Sequence, residues 1–138
     1  MRKIYDCFMF YNEFEILEIR LNELYDHVDH FVIAEANTTH AGNPKPYNFL
    51  DNKEKFQPFL DKIIHVPVED MPGVQPGQPD KSDCMFNDRH QRNSLIKGLL
   101  NADSNDVIIL SDCDEIPRPK VIDFIRTDTG HNINHSIF

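Results

Sequence analysis

Apolar positions along the chain switch between a short period and a helical one. Ile4-Tyr5-Asp6-Cys7-Phe8-Met9-Phe10-Tyr11 is brief, aromatic-rich and closed by Asn12, which predicts a buried strand. Phe14, Leu17, Leu21, Leu24 and Val28 then recur at steps of three and four, one face of a helix. Glu13, Glu15 and Glu18 crowd the start of that helix, where its dipole favours negative charge. His30-Phe31-Val32-Ile33-Ala34-Glu35 predicts a second strand. Ile63-Ile64-His65-Val66-Pro67-Val68 predicts a third, with Pro67 marking a sheet edge or the strand's end. Between these two, Gly42, Pro44 and Pro46 make residues 37–47 a loop, and Phe56, Phe59, Leu60 and Ile63 suggest a short helix with Pro58 in its first turn. Residues 71–83 hold Pro72, Gly73, Pro76, Gly77 and Pro79 and read as a flexible loop. Leu95, Ile96, Leu99 and Leu100 carry helical spacing behind the polar stretch 87–93. Asp106-Val107-Ile108-Ile109-Leu110 predicts the fourth strand, apolar without alternation, as expected of a parallel strand buried on both faces. Pro119 opens a last helix with Val121, Ile122, Phe124 and Ile125, and residues 128–138 show no periodicity.

This strand–helix alternation predicts an α/β fold, a mostly parallel sheet with helices on both faces, in one domain over residues 1–138. The last helix ends close to residue 138, which suggests a larger domain truncated at its C-terminus. Hydrophobic residues make up 40% of the 138, enough for a single packed core. Lys and Arg number 14 against 23 Asp and Glu, a net charge of −9, which argues against nucleic acid as a partner. No apolar run approaches the roughly 20 residues of a membrane span. After Met1-Arg2-Lys3, Asp6, Asn12 and Glu13 come too early for a secretory signal, so a soluble cytoplasmic protein is expected. Cys7, Cys84 and Cys113 lack C-x-x-C spacing and read as reduced thiols.

Ligands of open α/β sheets bind outside the carboxyl ends of the strands. The predicted strands end in Tyr11-Asn12-Glu13, Glu35-Ala36-Asn37, Glu69-Asp70 and Ser111-Asp112-Cys113-Asp114-Glu115, so carboxylates gather at one sheet edge. Their repulsion is costly unless a cation or hydrogen-bond donors offset it. Solvated acidic loops explain the first three ends equally well. The fourth differs, because three carboxylates in four residues follow directly on an apolar strand. Mg²⁺ and Mn²⁺ take oxygen ligands, commonly one or two carboxylates plus substrate phosphates. Asp112 and Asp114 project to one side if the extended geometry persists. An Asx turn before Pro117 is the structural alternative.

Several segments, in order, resemble glycosyltransferase family seventeen, the enzymes that add the bisecting N-acetylglucosamine to β-mannose. They are Tyr5-Asp6-Cys7-Phe8-Met9-Phe10-Tyr11-Asn12-Glu13, Leu17-Glu18-Ile19-Arg20-Leu21, Val32-Ile33-Ala34-Glu35-Ala36-Asn37, Thr39-His40-Ala41-Gly42, Lys45-Pro46, Arg92-Asn93 and residues 109–119. The resemblance covers Ile4 to Pro119 and implies a GT-A, Rossmann-like nucleotide-sugar fold. It further implies UDP-N-acetylglucosamine as donor, a glycan or other sugar as acceptor, Mn²⁺ or Mg²⁺ as cofactor, and inversion at the anomeric carbon. It reaches only the nucleotide-binding half; the acceptor half would follow Phe138.

On that resemblance Tyr11 stacks on uracil and Asn12 bonds it, while Glu35 accepts from ribose hydroxyls. Lys45 and Arg92 meet the diphosphate, Asp112 holds ribose or sugar hydroxyls and touches the metal, and Asp114 is the direct metal ligand. His40 contacts the donor or stabilises its loop. No residue is assigned as catalytic base. Two other readings stay open: a non-catalytic or truncated donor-binding fragment, and a metal-dependent phosphotransfer domain. The second normally carries its Asp-x-Asp on the first strand, where this chain has only Asp6.

Overall fold

Alternation of side chains in β1 (Ile4–Met9) decides how the layers assemble. Ile4 and Phe8 join Phe31 and Ile33 of β2 (His30–Ala36) on one face, and Tyr5 and Cys7 join Val32, Ala34 and Ala36 on the other. The structure, a computed structural model, describes residues 2–72 and 81–128, apart from the side chains of residues 81–83. With β3 (Ile63–Val68) and β4 (Val107–Leu110), the strands form a sheet in the order β3-β2-β1-β4. Every pairing is parallel, with Tyr5 opposite both His30 and Ile108. The α/β class and the two helical layers are those expected from the pattern.

The strand order explains which helix covers which face. The chain steps from β1 to β2 to β3 in one direction and then returns past β1 to β4. Right-handed crossovers therefore place the later connection on the opposite face. On the first face lie α1 (Phe14–Leu24), α2 (Asn48–Asp51), a 3₁₀ segment (Lys53–Lys62) and α4 (Pro119–Thr127). They contribute Leu17, Leu21, Leu24, Phe49, Phe56 and Ile122 to the larger core, and each fully buried side chain of this size is worth roughly 1.5–3 kcal/mol. Pro58 sits just beyond a kink at Phe56, where its missing N–H breaks no continuous helix. On the second face run α3 (Lys81–Asn93) and a 3₁₀ segment (Ser94–Leu99), which sets Leu95 and Leu99 against Val32, Ala34 and Val66.

Three expectations change. The helix before β4 begins at Lys81 and includes the polar stretch 87–93, and the apolar residues that suggested it lie mostly in the 3₁₀ segment. Residues 81–83 of the expected 71–83 loop are thus helical, while 73–80, like the tail 129–138, lie outside the described residues. Finally, β4 is an edge strand, with Ile108 43% and Leu110 48% exposed. The 3₁₀ segment passes over β2 and β3, where Gly98 approaches Val32 and Val66, and among the described residues nothing buries Ile108 and Leu110 on that face of β4.

Carboxylates also tie the start of β1 to its neighbours. Asp29 accepts from the Ile4 N–H at 2.8 Å and from Arg126 at 2.8 Å, and Arg126 also donates to the Arg2 and His27 carbonyls. Partial burial pushes the Asp29 carboxyl up, but the bonds from Arg126 and Ile4 outweigh it and hold the group below its ordinary value. A depressed folded value contributes stability above the unfolded pKa and loses it as pH falls through the folded one. Asp29→Asn is therefore expected to lower the melting temperature at pH 7, and the gap to wild type should narrow as melts are repeated below about pH 4, the ordinary aspartate range. A Cβ on Gly98 would overlap Val32 Cγ1, a stiff β-branched neighbour. Gly98→Ala should cost about 1–3 kcal/mol in urea unfolding, against the usual gain of alanine in helical backbone.

Candidate functional site

Arg20 lies on the apolar stripe of α1, beside Leu17, Leu21 and Leu24, and is fully buried. Its Nε donates to Asp6 Oδ2 at 2.8 Å and its Nη2 to Asp6 Oδ1 at 2.6 Å, a bidentate pair in which neither side chain meets solvent. Burial pushes the Asp6 carboxyl up, and the guanidinium pulls it back. The remaining donors leave the pair for the chain after β4. Nη2 reaches Ser111 Oγ at 2.6 Å, and Nη1 reaches the carbonyls of Asp112 at 2.7 Å, Cys113 at 3.2 Å and Glu115 at 2.9 Å. The guanidinium also stacks 4.4 Å from the centre of the Phe8 ring. Glu115 closes the turn from outside, accepting the Asp112 N–H on Oε2 at 3.0 Å. Of the three carboxylates after Leu110, Glu115 is therefore spent on the backbone, and Asp112 and Asp114 remain exposed.

A second loop faces this turn. After β2, Thr38 bridges Pro44, the Thr39 N–H donates to the Asn43 carbonyl, and Gly42 takes the positive φ of 84° that the tight reversal requires. Two buried side chains of α3, four residues apart, hold it in place. Asn87 Nδ2 donates to the His40 carbonyl at 2.8 Å, and Gln91 Nε2 donates to the Ala34 carbonyl at 3.1 Å. The Gln91 amide oxygen then lies 2.9 Å from His40 Nε2, which must be the protonated nitrogen. His40 thus stabilises its loop.

Between the two loops and α3 opens a cleft of about 700 Å³. It sits where the chain reverses direction about β1, at the carboxyl ends of β1 and β4. Of the seven residues expected to bind ligand or metal, it brings together Tyr11, Lys45, Arg92, Asp112 and Asp114. Tyr11 is 45% exposed, and Lys45 Nζ stands 5.5 Å from its ring centre. Partial burial lowers the Lys45 pKa, opposed by the charges of Glu35 and Glu13. Arg92 Nη2 meets Asp112 Oδ1 at 2.9 Å, with Asp88 at 3.7 Å. Met9, Phe10, Ile16 and Cys113 supply apolar lining, and burial raises the Cys113 thiol to about 12, which keeps it protonated. Thr38 Oγ1, buried and without a hydrogen-bond partner among the described residues, belongs to a residue of the same wall.

Two expected ligands lie elsewhere. Asn12 is absent from the cleft lining, and its carbonyl accepts the Phe14 N–H at the start of α1. Glu35 is fully buried on the α1 face, where it accepts from the Phe49 N–H and from His65 Nε2 at 3.2 Å. Its place is in the core beneath α2, so ribose hydroxyls do not reach it. Arg20, Asn87 and Gln91 were not foreseen, although a charge inside the Leu17–Leu24 stripe and Asp6 between Ile4 and Phe8 were visible signals.

Among the described residues, no three His, Cys, Asp or Glu side chains are grouped to hold a metal by themselves. An oxygen pair such as Asp112 and Asp114 does fit a hard divalent cation that fills its other positions with water and phosphate. It does not fit the closed nitrogen and sulfur sets of structural zinc. Asp6, salt-bridged and inaccessible, offers no nucleophile for phosphotransfer.

A parallel sheet with a cleft where its strand order reverses is a Rossmann-like α/β arrangement, in which the cleft marks the topological switch point. Residues 1–136 match the sequence model of Glycosyltransferase family 17, and the chain belongs to that family. It is 30% identical over 135 residues to the β-1,4-mannosyl-glycoprotein 4-β-N-acetylglucosaminyltransferases of Rattus norvegicus and Homo sapiens, covering 94% of this chain and 24% of each relative. The Mus musculus protein of the same name matches to the same extent. The chain therefore spans about a quarter of the length of these curated relatives. No solved structure matches it. Among the described residues, no helix is long and apolar enough to cross a membrane.

The buried pair yields a direct test. Arg20→Ala strands Asp6 in the core and releases three carbonyls of the turn, so unfolding in denaturant should show a loss of about 3–5 kcal/mol.

Proposed function

We propose that this chain forms the donor-binding part of an inverting, metal-dependent glycosyltransferase that moves N-acetylglucosamine from UDP-N-acetylglucosamine to a sugar hydroxyl. The observation that carries the reading is the convergence of Tyr11, Lys45, Arg92, Asp112 and Asp114 on one cleft at the reversal of strand order. Family membership and the name of the relatives, N-acetylglucosaminyltransferase, support the donor sugar.

The half-exposed ring of Tyr11 offers a face on which uracil stacks, beside the apolar wall of Met9 and Ile16. Lys45 and Arg92 supply positive charge for the diphosphate, Arg92 with a planar fork suited to two phosphate oxygens. Asp112 and Asp114 hold Mn²⁺ or Mg²⁺, which when bound offsets the charge that develops on the departing UDP. The backbone clamp of Arg20 keeps both carboxylates aimed from a turn that does not have to reorganise during reaction. The acceptor hydroxyl attacks the anomeric carbon from the face opposite the diphosphate and passes its proton to a base.

Calorimetric titration of UDP and UDP-sugars, with and without Mn²⁺, tests the reading. Wild type is expected to bind uridine nucleotides in a Mn²⁺-dependent manner, and Asp114→Ala to weaken that binding at least about tenfold, the loss of one strong charged contact. Equal affinity in wild type and variant would remove the metal assignment. Parallel assays of donor hydrolysis and transfer separate an enzyme from a donor-binding module, because the module binds without turnover.

A further inference from the structure

The side chain best placed to meet a diphosphate is already engaged. Arg92 donates from Nη2 to Asp112 Oδ1 at 2.9 Å, and the same guanidinium stands 3.7 Å from Asp88. Asp112 is also one of the two carboxylates proposed to hold the cation. We propose that Arg92 and the divalent cation are alternative partners of Asp112, so that cation binding hands the Arg92 guanidinium over to the donor's diphosphate. The inference rests on the function proposed above and adds an order to its events.

Three features support the exchange. The Asp112 backbone is fixed on both sides, its carbonyl by Arg20 and its N–H by Glu115, so only the side-chain carboxylate is free to change partner. The ion pair is solvent-accessible, with Arg92 32% and Asp112 51% exposed, so breaking it costs little. Asp114, two residues on, has no hydrogen-bond or ion-pair partner among the described residues and lines the same cleft. A doubly charged ion shared with Asp114 therefore gains more at Asp112 than the single guanidinium charge does. Once displaced, Arg92 retains Asp88 one helical turn away as a weaker anchor, which keeps the guanidinium at the cleft wall beside the phosphate position. Arg92 then acts as a positioning residue before donor arrives and as a ligand afterwards.

This arrangement predicts effects of opposite sign from one substitution. Arg92→Ala frees Asp112, so MnCl₂ titrated alone should bind about two- to fivefold tighter than to wild type, the worth of an exposed ion pair. UDP titrated in saturating Mn²⁺ should bind about tenfold weaker, because a charge-assisted contact to phosphate is lost. In an Asp112→Asn background the tightening of Mn²⁺ by Arg92→Ala should vanish, which separates competition at Asp112 from cations held elsewhere on an acidic surface. Arg92→Lys, which keeps the charge without the fork, should fall between wild type and alanine on both readouts. Unchanged or weaker Mn²⁺ binding in Arg92→Ala overturns the exchange while leaving the proposed function intact. Failure of wild type to bind either Mn²⁺ or UDP overturns both.

Discussion

One guanidinium joins the centre of the sheet to the edge of the cleft. Arg20 answers the carboxylate of Asp6, an acid buried in the central strand β1, and spends its other donors on Ser111, Asp112, Cys113 and Glu115 of the chain leaving β4. Neither partner is tolerable alone in that setting, since an isolated buried charge costs several kcal/mol. Together they convert an energetic liability into a geometric constraint. Carbonyls that point inward toward Arg20 leave the Asp112 and Asp114 side chains facing solvent. The acidic turn is thus shaped by a residue 91–95 positions away in sequence and not by its own local preferences.

Topology supplies the second constraint. Because β4 returns past β1 instead of extending the run toward β3, the loops after β1 and β4 cannot cover one another and must splay apart. The cleft is that gap. The loop after β2 fills one of its sides only because Asn87 and Gln91 pin it to α3, and α3 reaches that position only because β3 and β4 lie on opposite flanks. Strand order, helix placement and cleft position follow from a single reversal.

Most of this architecture was legible in the pattern of apolar residues. Leu17, Leu21 and Leu24 announced α1, Pro119 announced α4, and of the two readings of Pro67, a sheet edge or the strand's end, β3 takes the edge. Helix α3 escaped because its inward side carries Asn87 and Gln91, polar residues that satisfy a loop and a strand carbonyl, and hydrophobic period is blind to such a face. Glu35 was misplaced for a different reason. Its position after an apolar run suggested a strand end open to ligand, yet parity puts it on the same face as Phe31 and Ile33, under Phe49. The exposure of Ile108 and Leu110 was hidden because a continuous apolar strand reads the same whether or not a neighbour covers it.

Charge in the cleft bears on what it accepts. Glu13, Asp88, Asp112 and Asp114 line it against Lys45 and Arg92, so the carboxylates outnumber the cations there. A diphosphate entering such a site alone would add negative charge to a wall that already repels it. The two cationic side chains cannot reverse that sign, and Arg92 is itself paired with Asp112. On the proposed reading, cation and diphosphate therefore depend on each other: the ion relieves repulsion between Asp112 and Asp114, and the phosphates complete the ion's oxygen shell. On that same reading the balance disfavours free nucleotide in the absence of metal, a selectivity that comes from repulsion as much as from attraction.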